Sequence, residues 1–70
     1  PKANKPVKLE WKNSAKAKLT IEVYNNKQQK IKTETLNANT WKFTATKGLY
    51  YWKLLNSDFD LLFCGKIILE

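Results

Sequence analysis

The residue types that do most enzymatic chemistry are sparse in this 70-residue chain. It holds no His, so no side chain is placed by its ordinary pKa to act as a general base near neutral pH. Asp58 and Asp60 stand two apart, close enough to flank a site, but a turn leading into a strand puts both in solvent. Ser14 and Ser57 fall in predicted turns, without the glycine frame of a nucleophile elbow. Gly48 and Gly65 are the only glycines and stand too far apart for a phosphate-cradling loop. Cys64 is the single Cys and lies in an apolar run, which predicts a small buried hydrophobe. A reactive thiol would need exposure and nearby cations, and only Lys66 is close in sequence. One Cys and no His exclude the usual Cys/His zinc sites and an internal disulfide. The sequence therefore predicts no enzyme, no catalytic residue, no cofactor and no metal.

What the chain has in quantity is Lys and aromatic rings. Net charge is +7, with thirteen basic residues, all Lys. Nine Lys against three acids fall in residues 1–35, and four against three in residues 36–70. Such a charge suits nucleic acid or an anionic surface. The absence of Arg weighs against that, because bidentate phosphate and guanine contacts favour guanidinium. A bias toward Lys, Asn and Ile accounts for the charge as simply. Tyr24 and Tyr51 fall on polar strand faces in phase with Lys18 and Lys53. A candidate interaction surface follows: Lys18, Glu22, Tyr24, Lys30, Lys32, Tyr51 and Lys53. Stacking of bases on the two Tyr beside a Lys groove is one use for it. A sugar platform is disfavoured, because the three Trp are expected to point inward.

These side chains must be positioned by strands. Val7, Leu9 and Trp11 alternate with Lys8, Glu10 and Lys12, and Ala17, Leu19, Ile21 and Val23 with Lys18, Thr20, Glu22 and Tyr24, which marks half-buried strands. Lys30 to Leu36 is Thr- and Lys-rich and reads as an edge strand, with Ile31, Thr33 and Thr35 on one face and Lys30, Lys32 and Glu34 on the other. Trp41, Phe43 and Ala45 alternate again, and Gly48 to Leu55 carries Tyr50, Trp52 and Leu54 at period two. The last run, Phe59 to Leu69, contains Gly65, which predicts a bulge. Asn-rich turns separate the runs: Asn13-Ser14, Asn25-Asn26-Lys27, Asn37-Ala38-Asn39 and Asn56-Ser57-Asp58. No window sustains a period of 3.6, so helix is disfavoured. The expected core is Val7, Leu9, Trp11, Leu19, Ile21, Val23, Trp41, Phe43, Tyr50, Trp52, Leu54, Phe63, Ile67 and Leu69, with Leu61 second. Residues 1–6 read as a polar linker and 7–70 as one domain. A start at Pro1 rather than Met suggests a processed or excised piece.

Taken together, Leu9-Glu10-Trp11, Leu19 to Tyr24, Trp41-Lys42-Phe43 and Gly48 to Leu54 resemble an immunoglobulin-like or fibronectin type III-like sandwich. The resemblance spans roughly Val7 to Leu69. It implies an all-β fold, a small antiparallel β-sandwich of about six strands. It also implies that Tyr50, near the start of the penultimate strand, bonds its hydroxyl back to the backbone. Tyr50 to Leu54 and Leu61 to Ile67 are further similar to C-terminal modules of envelope proteins from Bacteroidetes bacteria. An ordinary Ig-like domain has at least seven strands in about 100 residues, so the resemblance implies a first strand that is absent, cut away or supplied by another chain, and an edge open in that way would be available for strand addition.

The resemblance implies a non-catalytic structural or protein-interaction module of a larger extracytoplasmic bacterial protein, in the periplasm or at the cell surface. Its partner would be a protein or neighbouring domain, by β-augmentation or dimerisation at an open edge. The alternative is a small basic β-barrel that binds single-stranded nucleic acid through exposed Lys and Tyr.

Overall fold

The computed structural model describes residues 2–13 and 17–70. Ser14, and with it part of the first expected turn, lies outside the described residues, as does Pro1. Among the described residues six strands form: β1 (Val7–Glu10), β2 (Leu19–Asn25), β3 (Lys30–Leu36), β4 (Thr40–Phe43), β5 (Gly48–Leu55) and β6 (Leu61–Leu69). β1 and β4 make a two-stranded sheet, and the other four form a sheet in the order β3-β2-β5-β6. Every pairing is antiparallel. The fold is an all-β, sandwich-like arrangement, as its alternating pattern predicts.

The core lies between the sheets. Alternation sends Leu19, Ile21 and Val23 of β2, and Tyr50, Trp52 and Leu54 of β5, inward to meet Val7, Leu9 and Phe43. Ile67 and Leu69 complete the buried set. Aromatic contacts join the layers, with Phe43 edge-on to Tyr50 at 6.4 Å and Trp11 tilted against Trp52 at 6.4 Å. Each such ring pair adds about 0.5–1.5 kcal/mol beyond area burial.

Several expectations are corrected. Trp11 and Trp41 pack against the core but are only partly buried. Trp11 lies just past the end of β1, where its indole N–H donates to the Ala38 carbonyl at 3.1 Å. Trp41 pairs with Leu9 and shares its face, yet β4 is an edge strand with no further neighbour to cover the ring. Phe63 is 54 % exposed because the first half of β6, at the sheet edge, is not covered as Ile67 and Leu69 are, and Leu61 is 55 % exposed because it pairs with Leu55 on the other face. Leu55, not expected inside, is buried.

The bulge is not at Gly65. The register slips between Leu54 and Leu55, whose partners are Phe63 and Leu61, so Leu62 is the extra residue. Gly65 stands opposite Trp52, and a Cβ there would lie 2.5 Å from the Trp52 Nε1. The glycine leaves room for an indole ring rather than for a kink. A second slip falls in β3: Val23 pairs with Lys32 and Tyr24 with Lys30, which leaves Ile31 as the extra residue.

Candidate functional site

The outer face of the four-stranded sheet is built by the side chains that alternate with the core. On β2 these are Glu22 and Tyr24, and on β5 Tyr51 and Lys53. Register places Tyr24 beside Tyr51, Glu22 beside Lys53, and Tyr51 beside Lys66. Directly opposed residues share a face, so three strands contribute one surface. A groove of about 560 Å³ runs over it, lined by Tyr24, Gln28, Tyr51, Trp52, Lys53, Cys64, Gly65 and Lys66.

A charge and hydrogen-bond network holds one side of the groove. The Lys30 Nζ donates to the Glu22 carboxylate at 2.8 Å, and the Tyr24 hydroxyl donates to Glu22 Oε1 at 2.9 Å. The Lys53 ammonium sits 5.0 Å from the centre of the Tyr24 ring, within cation–π range. The Lys30 bond holds the Glu22 carboxyl below its ordinary value, aided by Tyr24 and opposed by desolvation. Burial, and then its bond to Glu22, push the Tyr24 hydroxyl up. The same ion pair raises Lys30.

Of the seven residues the sequence brings forward, Glu22, Tyr24, Lys30, Tyr51 and Lys53 come together. Lys18 precedes β2 by one residue and is exposed, in phase with Tyr24 but six residues away, roughly 20 Å along the strand. Lys32 is parted from Lys30 by the Ile31 bulge, which flips the phase of β3, and it shares the face of Val23 instead. The same slip puts Thr33, opposite Glu22, on the face of Lys30 and moves Glu34, opposite Ile21, away from it.

Cys64, Gly65 and Lys66 join the groove unanticipated. Cys64 is exposed, not buried, because it stands opposite outward Lys53 on an edge strand. Misplacing the bulge at Gly65 hid this, because the phase of β6 around it depends on where the extra residue lies. Counting back from buried Leu69 and Ile67 gives the right face for both Lys66 and Cys64.

The groove offers two phenol rings, two ammonium groups and a thiol, and beside it the Glu22 carboxylate is tied to Lys30 and Tyr24. That set suits adhesion to a surface or an extended ligand. Among the described residues, no group of three or more His, Cys, Asp or Glu is placed to hold a metal ion. Comparison with family models, with curated proteins and with solved structures finds no match to this chain.

Proposed function

We propose that the chain is a fibronectin type III-like or immunoglobulin-like module with no catalytic role, serving as a structural or protein-interaction element of a larger extracytoplasmic bacterial protein. The observation that carries the reading is the strand order. With β1 and β4 as strands B and E, and β3, β2, β5 and β6 as C′, C, F and G, the pairings are those of an Ig-like sandwich without its first strand. Tyr50 adds to it. It stands near the start of β5, the F position, and its hydroxyl donates to the Thr46 carbonyl at 2.9 Å, which is the bond of a tyrosine corner. The surface supports the same reading, because it presents aromatic and cationic groups without a general base. The likeness is one of architecture, and architecture alone does not assign a partner.

One observation favours a second reading. Tyr24 and Tyr51 lie side by side with Lys53 and Lys66 around them, which suits base stacking next to phosphates. The two sheets are separate, so this would be a flat platform rather than a closed barrel.

Anisotropy of a labelled single-stranded oligonucleotide, at about 50 and 200 mM salt and with heparin as control, separates the two. Weak binding that vanishes with salt equally for both polyanions is expected. Binding that prefers the oligonucleotide and survives the higher salt would sink the module reading. Protease accessibility of the parent protein, on intact cells and after the outer membrane is permeabilised, tests the compartment, and protection in both would overturn the extracytoplasmic assignment.

A further inference from the structure

We propose that the outer-face groove takes a short, extended acidic peptide. Carboxylates at alternate positions of that peptide pair with Lys53 and Lys66, and an adjoining apolar side chain rests on Tyr24 and Tyr51. The inference rests on reading the chain as a protein-interaction module, and it names the chemistry of the partner.

Register lays out the surface. Tyr24 pairs with Lys30 on one side and with Tyr51 on the other, and Tyr51 pairs with Lys66. One row therefore crosses all four strands as Lys30, Tyr24, Tyr51 and Lys66, about 14 Å from end to end at the usual strand spacing. The next row carries Thr33, Glu22, Lys53 and Cys64. The cations in these rows are not equivalent. Lys30 is held by Glu22 at 2.8 Å, and Glu22 also accepts the Tyr24 hydroxyl, so that pair is satisfied within the protein. Lys53 and Lys66 take part in no ion pair among the described residues, and both line the groove. Among the described residues no carboxylate lines it with them. Two unpaired cations over an aromatic floor are complementary to a ligand that is anionic and partly apolar.

Spacing selects the kind of anion. Lys53 and Lys66 are diagonal neighbours on an antiparallel pair, about 7–8 Å apart. An extended peptide returns its side chains to one face every second residue, about 6.6 Å along. Carboxylates two residues apart therefore match the two ammonium groups, one to each. Carboxylates on adjacent residues do not, because they point to opposite faces. A nucleic acid carries charge on every unit and gains affinity with the number of charges neutralised, and two ammonium groups neutralise few. A groove of about 560 Å³ likewise suits a few residues rather than a long polymer.

Amide chemical-shift titration of the chain with the end-blocked peptide Gly-Leu-Asp-Ser-Asp-Leu-Gly tests this. It is run in reductant at about 150 mM salt, where charges beyond about 8 Å are largely screened. Shifts are expected to centre on Tyr24, Tyr51, Lys53 and Lys66. Replacing both Asp of the peptide by Asn, or moving them to adjacent positions, should weaken binding. Lys53→Gln with Lys66→Gln in the chain should weaken it about tenfold. Lys5→Gln with Lys42→Gln removes the same charge away from the groove and should leave it within about twofold. All four Lys are exposed, and thermal melts check folding. Equal losses in the two double variants would reduce the effect to net charge and overturn the proposal. So would indifference to the placement of the Asp residues, or tighter binding of a single-stranded oligonucleotide in the same groove. Absence of shifts up to millimolar peptide would overturn it as well. That last result would not touch the module reading, which the oligonucleotide and protease experiments decide separately.

Discussion

The β2–β3 and β5–β6 hairpins close with loops of one construction. Asn25 and Asn56 each open a five-residue loop. In both, the side-chain oxygen of Asn accepts backbone N–H groups two and four residues on, at 2.9–3.0 Å. In both, its carbonyl accepts the N–H three residues on. The fourth residue is left-handed in each, Gln28 and Phe59, with φ of 62°. Beyond the loops the two second strands part ways. β3 holds no buried residue and exposes charge, whereas β6 sends Ile67 and Leu69 into the core and exposes apolar side chains. Identical turn chemistry thus delivers two edges of opposite character. Local turn signals fix where a strand starts, and the side chains alone decide what its edge is for.

The largest test of this asymmetry removes the anchor of the β5–β6 hairpin. Trp52 lies against Phe63 at 5.0 Å and over Gly65, and is 7 % exposed. Trp52→Ala should cost about 3–5 kcal/mol in urea unfolding, the range for a buried aromatic. Ile31→Ala, at the exposed bulge of β3, should cost below about 1 kcal/mol. Equal losses would erase the distinction between the edges. Gly65→Ala comes next. In an open strand this change usually stabilises, but here the new Cβ would meet the Trp52 ring at 2.5 Å. A loss of about 1–3 kcal/mol is expected, the scale of overpacking. A gain in urea midpoint would show that the indole has room to move.

Most of the fold was readable because its periodicity is clean. β3 and β5 match their expected bounds, and Ile21, Val23 and Leu54 are buried as alternation requires. Tyr50 also makes the backbone bond expected of it. Some of the misses come from bulges. A bulge shifts strand phase without a sequence mark, and the two bulges fall at Ile31 and Leu62, away from either glycine. One slip parted Lys32 from Lys30, and the other put Leu61 on the face opposite to Phe63. The exposure of Phe63 was hidden for a different reason. Alternation assigns a face, but whether that face is covered depends on the breadth of the opposite sheet, here two strands against four.

The loop positions sharpen the comparison further. Phe59→Asn relieves a left-handed aromatic and should raise monomer stability by about 1 kcal/mol, read from the shift in urea midpoint. Gln28→Asn should gain a similar amount, since the loops are built alike. If only one gains, the loops are not energetically equivalent.

The smallest expected effect lies on the β3 side, where Glu22 ties the edge strand to β2. The Glu22 side chain is 12 % exposed but its partner Lys30 is 46 % exposed, so solvent screens much of the pair. Glu22 titrates below its ordinary value of 4.5 in the folded chain, chiefly through the Lys30 bond. A lowered carboxyl pKa stabilises the folded state above the ordinary value, and that contribution is lost as pH falls through the folded one. Wild type should therefore exceed Glu22→Gln in unfolding free energy at neutral pH, by less than about 1 kcal/mol. The difference should close below pH 4.5. A difference that persists in acid would assign the loss to packing rather than charge. On β6, no ion pair plays this part among the described residues. An acid-sensitive step that moved with Glu22 would therefore report on the guarded edge alone.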